Sequence, residues 1–327
     1  MTTAPSDYTG QLEAAARFIH EQDHFLVLAH VFPDGDAFGS TYAMGHILHQ
    51  LNKSFVLANE DEMPQKFAYL HDEFPLVRAD SIQDIPQNVI CLDCADFSRL
   101  GAISQRLPEH CNLLNIDHHP TNDHYGDVPL IRTDASATAE IIYDLVEHMQ
   151  MPWSKPLATA VYTGMLTDTG GFRYANTTPA LLHKASTLLQ YGVEANKLAY
   201  ELLEKRSKAH IELLKRSLPT LAFEQEGSIC WMIVRAKDMQ ETKANPEDLD
   251  GLIQYPRNIE GVEVGILFKQ MDDETVKVSL RSADRVNVSA VAARLGGGGH
   301  RNASGVTMHG SLDDIVEQVI AELKREF

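Results

Sequence analysis

Four separated segments of the chain carry side chains that could bind divalent metal ions. They are His30-Val31-Phe32-Pro33-Asp34-Gly35-Asp36-Ala37, Asp93, Asp117-His118-His119-Pro120 and Asp168. Carboxylate oxygens together with imidazole nitrogens suit Mn²⁺ or Mg²⁺ better than a metal that prefers thiolates. Two such ions about 3.5–4 Å apart can activate water against a phosphoester. The ligand types therefore predict a dinuclear metal site and phosphoester hydrolysis.

Three of these segments follow short apolar runs that are typical of buried β-strands. The runs are Phe25–Ala29, Asn88–Leu92 and Asn112–Ile116, and they end directly before His30, Asp93 and Asp117, respectively. The runs alternate with predicted helices, which indicates a parallel sheet of the α/β class. Because ligand sites of such sheets lie beyond the carboxyl ends of the strands, we expect these polar side chains to converge.

The remaining apolar patterns divide the chain into a larger N-terminal part and a smaller C-terminal part. Helical spacing predicts helices over about 12–22, 136–149, 156–167 and 178–191, and a long polar helix over about 194–218. Strands are expected at Ile229–Arg235, Val262–Lys269 and Thr275–Arg281, before a glycine-rich loop and a last helix over about 311–325. We expect a parallel-sheet α/β domain (1–193), a helical connector (194–220) and a smaller α+β domain (221–327).

The charge of the chain limits what it can bind. It has 28 Lys+Arg against 46 Asp+Glu, a formal net charge of −18, and no basic run. Proteins that hold long nucleic acids usually neutralise many phosphates with a basic stripe. Bound metals and a few Arg or His side chains can still reverse the field locally and bind a small anion. We therefore expect short substrates and no tracking along long nucleic acids.

The N-terminus and the hydropathy of the chain argue against export and membrane insertion. Residues 1–10 lack the basic segment and apolar run of a signal peptide. No stretch approaches about 18 consecutive apolar residues. Four cysteines are too few for a disulfide scaffold, and Cys91 and Cys94 have no second pair to complete a zinc site. We interpret these two as small residues at a strand end, and we expect a cytoplasmic protein without membrane contact.

The same segments resemble the four sequence motifs of the DHH phosphoesterase superfamily. The matching stretches are AHVFPDGDAFGS (29–40), DCADFSRLG (93–101), NIDHHP (115–120) and TGMLTDTGGFRY (163–174). Further along, SLRS (279–282) and RLGGGGHRNASG (294–305) resemble the DHH-associated substrate-binding domain of that superfamily. The resemblance covers nearly the whole chain and is greatest to the compact branch of nano-RNases and pAp phosphatases.

The resemblance implies a role for each residue of the metal site. The ligands would be His30, Asp34 and Asp93 for one ion, and Asp36, Asp93, His118 and Asp168 for the other. Asp93 would bridge the two ions, and His119 would contact the scissile phosphate or assist the leaving group, so these two are the expected catalytic residues. The oxygen species between the ions would be a hydroxide near neutral pH. The expected cofactors are two divalent ions, Mn²⁺ first, with Mg²⁺ or Co²⁺ as alternatives.

The resemblance also implies a set of substrate contacts. They are Arg99, Arg281, Gly297, Gly298, Gly299 and His300. Four consecutive glycines could be a flexible linker, but here they follow the apolar segment Val288–Leu295 and are expected to lie inside a domain. Glycine lets a backbone N–H approach an anion closely. Arg99 could clamp a phosphate through its planar fork or form a surface salt bridge, and the sequence leaves both readings open.

The expected activity is the hydrolysis of short nucleotides. The substrates would be oligoribonucleotides of about two to five units, pApA-type linear dinucleotides and 3′-phosphoadenosine 5′-phosphate (pAp). All are small anions with few phosphates, which an acidic protein can still bind. A cyclic di-AMP phosphodiesterase is the alternative, and a nucleotide-binding regulator with a silent metal site is another. A RecJ-type exonuclease would need a basic channel. A family II pyrophosphatase would lack the GGGGH loop. The family also implies a homodimer.

Overall fold

The computed structural model of the protein describes residues 5–71 and 74–327, except for the side chains of residues 5–7 and of His300. The chain forms two compact units, the first ending at Lys205 and the second beginning at Arg206. The helices are α1 (Pro5–Glu21), α2 (Gly35–Gln50), α3 (Thr138–His148), α4 (Lys155–Asp168), α5 (Pro179–Leu189), α6 (Ala195–Ala199), α7 (Lys208–Ser217), α8 (Ala236–Thr242), α9 (Gln254–Arg257), α10 (Val288–Arg294) and α11 (Leu312–Leu323). No helix within the described ranges is both long and apolar enough to cross a membrane.

The strands form one sheet in each unit. They are β1 (Phe25–Ala29), β2 (Phe55–Asn59), β3 (Leu76–Arg78), β4 (Asn88–Leu92), β5 (Asn112–Asp117), β6 (Val128–Ile131), β7 (Ala222–Glu224), β8 (Ile229–Val234), β9 (Val264–Gln270), β10 (Thr275–Ser282), β11 (Gly298–His300) and β12 (Ala303–His309). The parallel-sheet α/β fold expected for the N-terminal part is confirmed, and the smaller α+β part expected at the C-terminus contains a mixed sheet with helices.

The sheet of the first unit is parallel throughout, in the order β3-β2-β1-β4-β5-β6. The strands that follow β1 in the chain, β2 and β3, lie on one side of it in the sheet. The strands that follow β4, β5 and β6, lie on the other side. Neighbouring strands whose connections diverge in this way open a crevice at their carboxyl ends, where α/β proteins bind ligands. His30 follows β1 and Asp93 follows β4, so both residues lie at this crevice.

The two faces of this sheet are covered differently. Phe25 and Val27 of β1 belong to a large core that includes side chains from α1 to α5. Leu26 and Leu28 point to the opposite face because side chains alternate along a strand, and they pack there with Cys91, Cys94 and residues of short 3₁₀ turns. Burial on both faces explains why these strands are continuous apolar runs. Cys91 and Cys94 are buried small residues at the end of β4, as expected.

Helices α2 and α4 approach each other closely because glycines lie at their contact. A Cβ atom added to Gly39 would lie 2.7 Å from the carbonyl oxygen of Ala160. A Cβ atom added to Gly164 would lie 2.4 Å from Oδ1 of Asp36. Neither position has room for a side chain, so glycine allows Asp36 on α2 to reach the helix that ends at Asp168.

The second unit is built on a mixed sheet in the order β11-β12-β10-β9-β8-β7. Strands β8 and β9 are parallel, and the other neighbours are antiparallel. One face packs against α10 and α11 through a core that includes Val278 and Leu280. The predicted last helix begins after Ser311, whose side chain accepts the backbone N–H of Asp314. The end of the glycine run forms β11, so the run lies inside this unit.

The residues predicted to form one long helix over 194–218 form two helices instead. After α6, a π-helical turn spans Tyr200–Glu204, and Lys205 is extended with φ −60° and ψ 132°. Ser207 then caps α7 by accepting the backbone N–H of His210. A serine side chain that bonds the backbone in this way begins a new helix and does not continue an old one. The predicted continuous connector helix is therefore wrong, and the division between the units falls inside it.

Candidate metal centre

The carboxyl ends of β1, β4 and β5, together with α2 and α4, bring the six predicted metal ligands together. Three groups of residues each offer potential ligand atoms that lie within 4.8 Å of one another inside the group. The groups are His30, Asp34 and Asp93; Asp36, His118 and Asp168; and Asp93, His118 and His119. The first group corresponds to the predicted ligands of one ion. The second contains the predicted ligands of the other ion apart from Asp93, which the third group places beside His118.

Asp93 lies between the two groups and presents one oxygen to each of them. Its Oδ2 lies 3.4 Å from Nε2 of His30, and its Oδ1 lies 3.6 Å from Nε2 of His118. The side chain is 2% exposed, and the backbone adopts a left-handed φ of 56°, which is uncommon for a residue other than glycine. A carboxylate held in this way has the geometry to bridge two cations.

Backbone carbonyls determine which nitrogen of each histidine faces the centre. Nδ1 of His30 lies 2.8 Å from the carbonyl oxygen of Val31, and Nδ1 of His118 lies 3.3 Å from that of Ala135. When Nδ1–H donates to a carbonyl, Nε2 keeps the lone pair that binds a metal. A guanidinium nitrogen of Arg99 also lies 3.2 Å from Nδ1 of His30. A guanidinium nitrogen can only donate, so it cannot accept the hydrogen of Nδ1. The shorter contact to the carbonyl oxygen assigns that hydrogen to Nδ1 of His30 and leaves the guanidinium of Arg99 beside the ring.

The two aspartates of the first segment are held by helix N-termini. Oδ1 of Asp34 accepts the N–H groups of Asp36 and Ala37 at 3.0 and 3.1 Å, which caps α2. Asp36 is fully buried and accepts the N–H groups of Thr138 and Ala139 at 2.6 and 3.0 Å in the first turn of α3. The partial positive charge of a helix N-terminus favours a carboxylate at this position.

The electrostatics of the cluster fit the binding of cations. Burial raises the pKa of Asp36, and the charges of Asp93, Asp168 and Asp34 raise it further. Burial, Asp34 and Asp93 likewise raise the pKa of Asp168. Burial would also raise the pKa of Asp93, but the hydrogen bond from His30 and the neighbouring histidines hold it well below its usual value. Mostly buried carboxylates that repel one another become stable anions when divalent cations neutralise them.

One ring nitrogen of His119 is held by a buried carboxylate. Its Nδ1 lies 2.7 Å from Oδ1 of Asp117, which is fully buried and also accepts Nδ2–H of Asn122 at 2.6 Å. Burial would lower the pKa of His119, but the hydrogen bond to Asp117 and the charge of Asp93 outweigh burial and raise it to about 9. An imidazole oriented and charged in this way can donate a hydrogen bond to a phosphoryl or leaving oxygen.

Three residues of this cluster were given no individual role from the sequence. Asp117 was expected to converge on the site, because it directly follows a strand in the Asp-His-His segment, but its contact with His119 was not predicted. Asn122 had no signal in the sequence, because its contact with Asp117 depends on the path of the loop after β5. Thr138 was also missed, although its hydroxyl lies 3.0 Å from Oδ1 of Asp93. It lies outside all four motif stretches.

The predicted substrate contacts of the second unit lie together at one end of its sheet. Arg281 of β10 is paired with Ala303 of β12, which is paired with His300 of β11, so the three backbones form one row. The side chain of His300 lies outside the described part of the chain. A Cβ atom added to Gly297 would lie 2.3 Å from the carbonyl oxygen of Gly305, whereas one added to Gly298 would meet nothing within 4 Å. Gly299 has a φ of 139°, which favours glycine.

Comparisons with known proteins agree with this architecture. The family model described as DHH family, N-terminal domain, matches residues 24–165, and that of the DHHA1 domain matches residues 228–325. The bifunctional oligoribonuclease and PAP phosphatase NrnA of Thermus thermophilus is 34% identical over 303 residues, covering 92% of this chain and 89% of that protein. The protein of the same name from Bacillus subtilis is 29% identical over 313 residues, covering 94% of this chain and 96% of that protein.

Solved structures show the same fold. An exopolyphosphatase-related protein from Bacteroides fragilis superposes with a TM-score of 0.91 at 23% identity, covering 97% of this chain and 96% of that chain. The exonuclease RecJ bound to manganese superposes with a TM-score of 0.53 at 12% identity, covering 95% and 93%. The resemblance seen in the motifs is thus confirmed along both units. The chain belongs to the DHH family of phosphoesterases, in the NrnA-like branch, and carries a DHHA1 domain.

Proposed function

We propose that this protein is a two-metal-dependent phosphoesterase that hydrolyses short oligoribonucleotides, including pApA-type dinucleotides, and pAp. The observation that carries the proposal is the position of Asp93, which presents one carboxylate oxygen to His30 and the other to His118. Asp34 completes one group of potential ligands, and Asp36 and Asp168 complete the other. The relatives named oligoribonuclease and PAP phosphatase support the choice of substrates.

The residues of the centre have separate tasks in this reaction. Two divalent cations bound there would lower the pKa of a water molecule between them and neutralise charge on the phosphoryl oxygens. Asp93 holds both groups of ligands at a fixed separation. His119, oriented by Asp117, donates a hydrogen bond or a proton toward the phosphoryl group or the leaving oxygen. Arg99, which lies beside His30, pairs with a phosphate oxygen through its planar guanidinium.

The second unit anchors the part of the substrate that does not react. Arg281 supplies the positive charge, and the backbone of Gly298 and Gly299 supplies N–H groups that can point at a phosphate. The N–H of Gly297 instead donates to the carbonyl oxygen of Ala292 at 2.8 Å, so Gly297 contributes to the anchor by shaping the loop. Gly298 supports this role because it is exposed and an added Cβ would meet nothing within 4 Å, so a ligand has room to approach its backbone. His300 follows in the same strand and is assigned to the same anchor by the family resemblance.

Mn²⁺ is the proposed metal in the first place, with Mg²⁺ or Co²⁺ as substitutes. Mixed imidazole and carboxylate ligands suit Mn²⁺, and the related fold of RecJ was solved with manganese bound. The net charge of −18 supports short substrates over long ones, because a long strand would need many neutralised phosphates. A homodimer and a cytoplasmic location remain predictions.

The first test is a hydrolysis panel in Mn²⁺ with matched reactions in EDTA. It compares pAp, pApA, a pentanucleotide RNA, a long single-stranded DNA and cyclic di-AMP. We expect rapid hydrolysis of the first three and none in EDTA. A preference for cyclic di-AMP would replace the substrate assignment, and hydrolysis of no substrate would favour a nucleotide-binding regulator.

A second test separates anchoring from chemistry. Arg281→Ala is expected to raise KM for pAp and pApA while turnover of bis(p-nitrophenyl) phosphate stays unchanged, because that small diester has no second phosphate to anchor. Lys324→Ala is the matched control, since Lys324 is a cation of the same unit that pairs with Glu224 at 2.8 Å. If Arg281→Ala slowed the small diester as much as the nucleotides, the anchoring role would be wrong.

A further inference from the structure

The first turn of α3 contacts two of the proposed metal ligands at once. Thr138, the first residue of this helix, is fully buried. Its backbone N–H donates to Oδ2 of Asp36 at 2.6 Å, and its hydroxyl lies 3.0 Å from Oδ1 of Asp93. These two carboxylates belong to different elements, since Asp36 lies in α2 and Asp93 follows β4. Thr138 is not a potential ligand, but it therefore connects Asp36 of one ligand group with Asp93 of the other through hydrogen bonds.

We propose that Thr138 is a positioning residue of the metal centre, which holds Asp93 and Asp36 at the separation that two cations require. The inference rests on the proposed two-metal function, and it adds a residue that the sequence motifs do not include. An ionised carboxylate only accepts hydrogen bonds, so the hydroxyl of Thr138 must be the donor to Asp93. The bond uses one lone pair of Oδ1 and leaves another for a cation, and Nε2 of His118 lies 3.6 Å from the same oxygen.

The position of Thr138 is itself set by a buried network of charges. Oε2 of Glu140, two residues further along α3, accepts the backbone N–H of Ser136 at 2.8 Å. Its Oε1 accepts hydrogen bonds from Arg132 at 2.5 Å and from Lys184 of α5 at 2.8 Å. The side chain of Glu140 is 2% exposed, and those of Arg132 and Lys184 are 19% and 15% exposed, so water screens these contacts only weakly. The start of α3 is thus anchored to α5 and to the segment that directly follows β6.

Threonine suits this task better than a more flexible donor. Its branched Cβ restricts χ1, so the hydroxyl loses little freedom when it bonds a carboxylate. A hydrogen bond to Asp93 also keeps that side chain in one rotamer, with an oxygen on each side. Residues that orient metal ligands in this way typically change metal affinity about 10–100-fold when they are replaced. A threonine that only filled the core would affect folding stability without affecting the binding of cations.

The test compares Thr138→Val with Thr138→Ser. Valine keeps the shape of threonine and the backbone N–H to Asp36 but removes the hydroxyl, whereas serine keeps the hydroxyl. Mn²⁺ is titrated calorimetrically into protein stripped of metal, and the electron paramagnetic resonance spectrum reports whether the two Mn²⁺ ions are exchange-coupled. We expect the valine variant to bind Mn²⁺ about 10–100-fold more weakly and to lose the coupled signal. The serine variant is expected to stay close to the wild type.

The control is Thr163→Val, which removes another fully buried hydroxyl of the first unit. That hydroxyl contacts the carbonyl oxygen of Thr159 at 2.9 Å and the hydroxyl of Tyr69 at 2.7 Å. We expect Thr163→Val to lower the melting temperature in EDTA and to leave Mn²⁺ affinity unchanged. If Thr138→Val does not fold, Thr138→Ala removes the same hydroxyl and is compared with Thr138→Ser in its place.

The possible outcomes separate this inference from the proposed function. Wild-type Mn²⁺ affinity and an intact coupled signal in Thr138→Val would overturn the positioning role and leave the two-metal function standing. A wild-type protein that binds no coupled pair of Mn²⁺ ions would overturn the proposed function, and the inference with it. Equal losses of affinity in the valine and serine variants would also contradict the inference, because the hydroxyl would then not be the group that acts.

Discussion

Gly164→Ala is predicted to damage the metal centre although alanine favours helices. Gly164 lies in α4, where replacing glycine with alanine would by itself stabilise the helix by about 0.5–1 kcal/mol. The added Cβ would lie 2.4 Å from Oδ1 of Asp36 and 2.5 Å from Cβ of Ala139. Real Cβ contacts need at least 3.0 Å, so the carboxylate or the helix must move by at least 0.6 Å, which is 3.0 minus 2.4.

Asp36 cannot avoid the new methyl group by rotating. Both of its oxygens already accept backbone N–H groups of Thr138 and Ala139, and one of them also accepts the hydroxyl of Ser40 at 3.3 Å. Overpacking of this kind costs about 1–3 kcal/mol, so after the helix gain of about 0.5–1 kcal/mol the variant should be between about as stable as the wild type (1 minus 1) and about 2.5 kcal/mol less stable (3 minus 0.5). The larger effect falls on function, because a misplacement near 1 Å can cost on the order of 10²-fold in rate.

The assay measures Mn²⁺ affinity by calorimetry, pAp turnover, and the free energy of unfolding in urea with EDTA. We expect Mn²⁺ to bind at least about tenfold more weakly and turnover to fall by on the order of 10²-fold. Gly10→Ala is the matched control, because Gly10 lies in α1, is exposed, and has no atom within 4 Å of an added Cβ. That variant should gain about 0.5–1 kcal/mol and keep full activity. Wild-type Mn²⁺ affinity in Gly164→Ala would refute the reasoning.

Three further predictions concern the bridge, the ionic network and the pH dependence of stability. Asp93→Ala removes the ligand shared by both groups, so the electron paramagnetic resonance spectrum should show no coupled pair of Mn²⁺ ions and every substrate of the panel should remain intact; more than a few per cent activity would contradict the bridge. Glu140→Gln breaks the buried ion pairs with Arg132 and Lys184, so urea unfolding should show a loss of about 3 kcal/mol, and a loss below measurement error would show that the network is not stabilising. Burial, with a smaller contribution from a neighbouring histidine, lowers the pKa of His46 to about 4. The unfolded chain, with its histidine pKa near 6.5, therefore binds more protons between these values, and stability should fall as pH drops from about 6.5 to 4, by at most about 1.4 kcal/mol per pH unit from this group. In His46→Gln that slope should become shallower, and an unchanged slope would assign it to other groups.

Much of the fold could be predicted because its signals are local. The strands that lead to His30, Asp93 and Asp117 are uninterrupted apolar runs, and such runs identify buried strands without any knowledge of their neighbours. Other strands lack that signal. β6 contains Pro129, which a strand tolerates at the edge of a sheet, and β12 contains Gly305, which is uncommon in strands. Both are recognised only by their pairing with β5 and β10.

The long helix was mispredicted for a related reason. Leu198 and Leu202 keep a helical spacing, as do Ile211 and Leu214, but nine positions separate Leu202 from Ile211 (211 − 202), so the prediction of one helix bridged a polar gap at residues 204–210. The break at Lys205 depends on Ser207, which can lie within a helix or cap a new one. That choice is made by the packing of the two compact units, each of which stabilises its own helix.

The sequence by itself determined the chemistry of this protein, because the types of the ligands and their places after strands are properties of single segments. Carboxylates and imidazoles at strand ends predict divalent metals and a phosphate reaction whatever the details of packing. Only the tertiary structure decided which of these groups contact one another. The oxygens of Asp93 face different histidines, and Thr138 reaches it across 45 positions of sequence. Contacts at that separation depend on how helices and strands pack, and no local pattern of residue types records them.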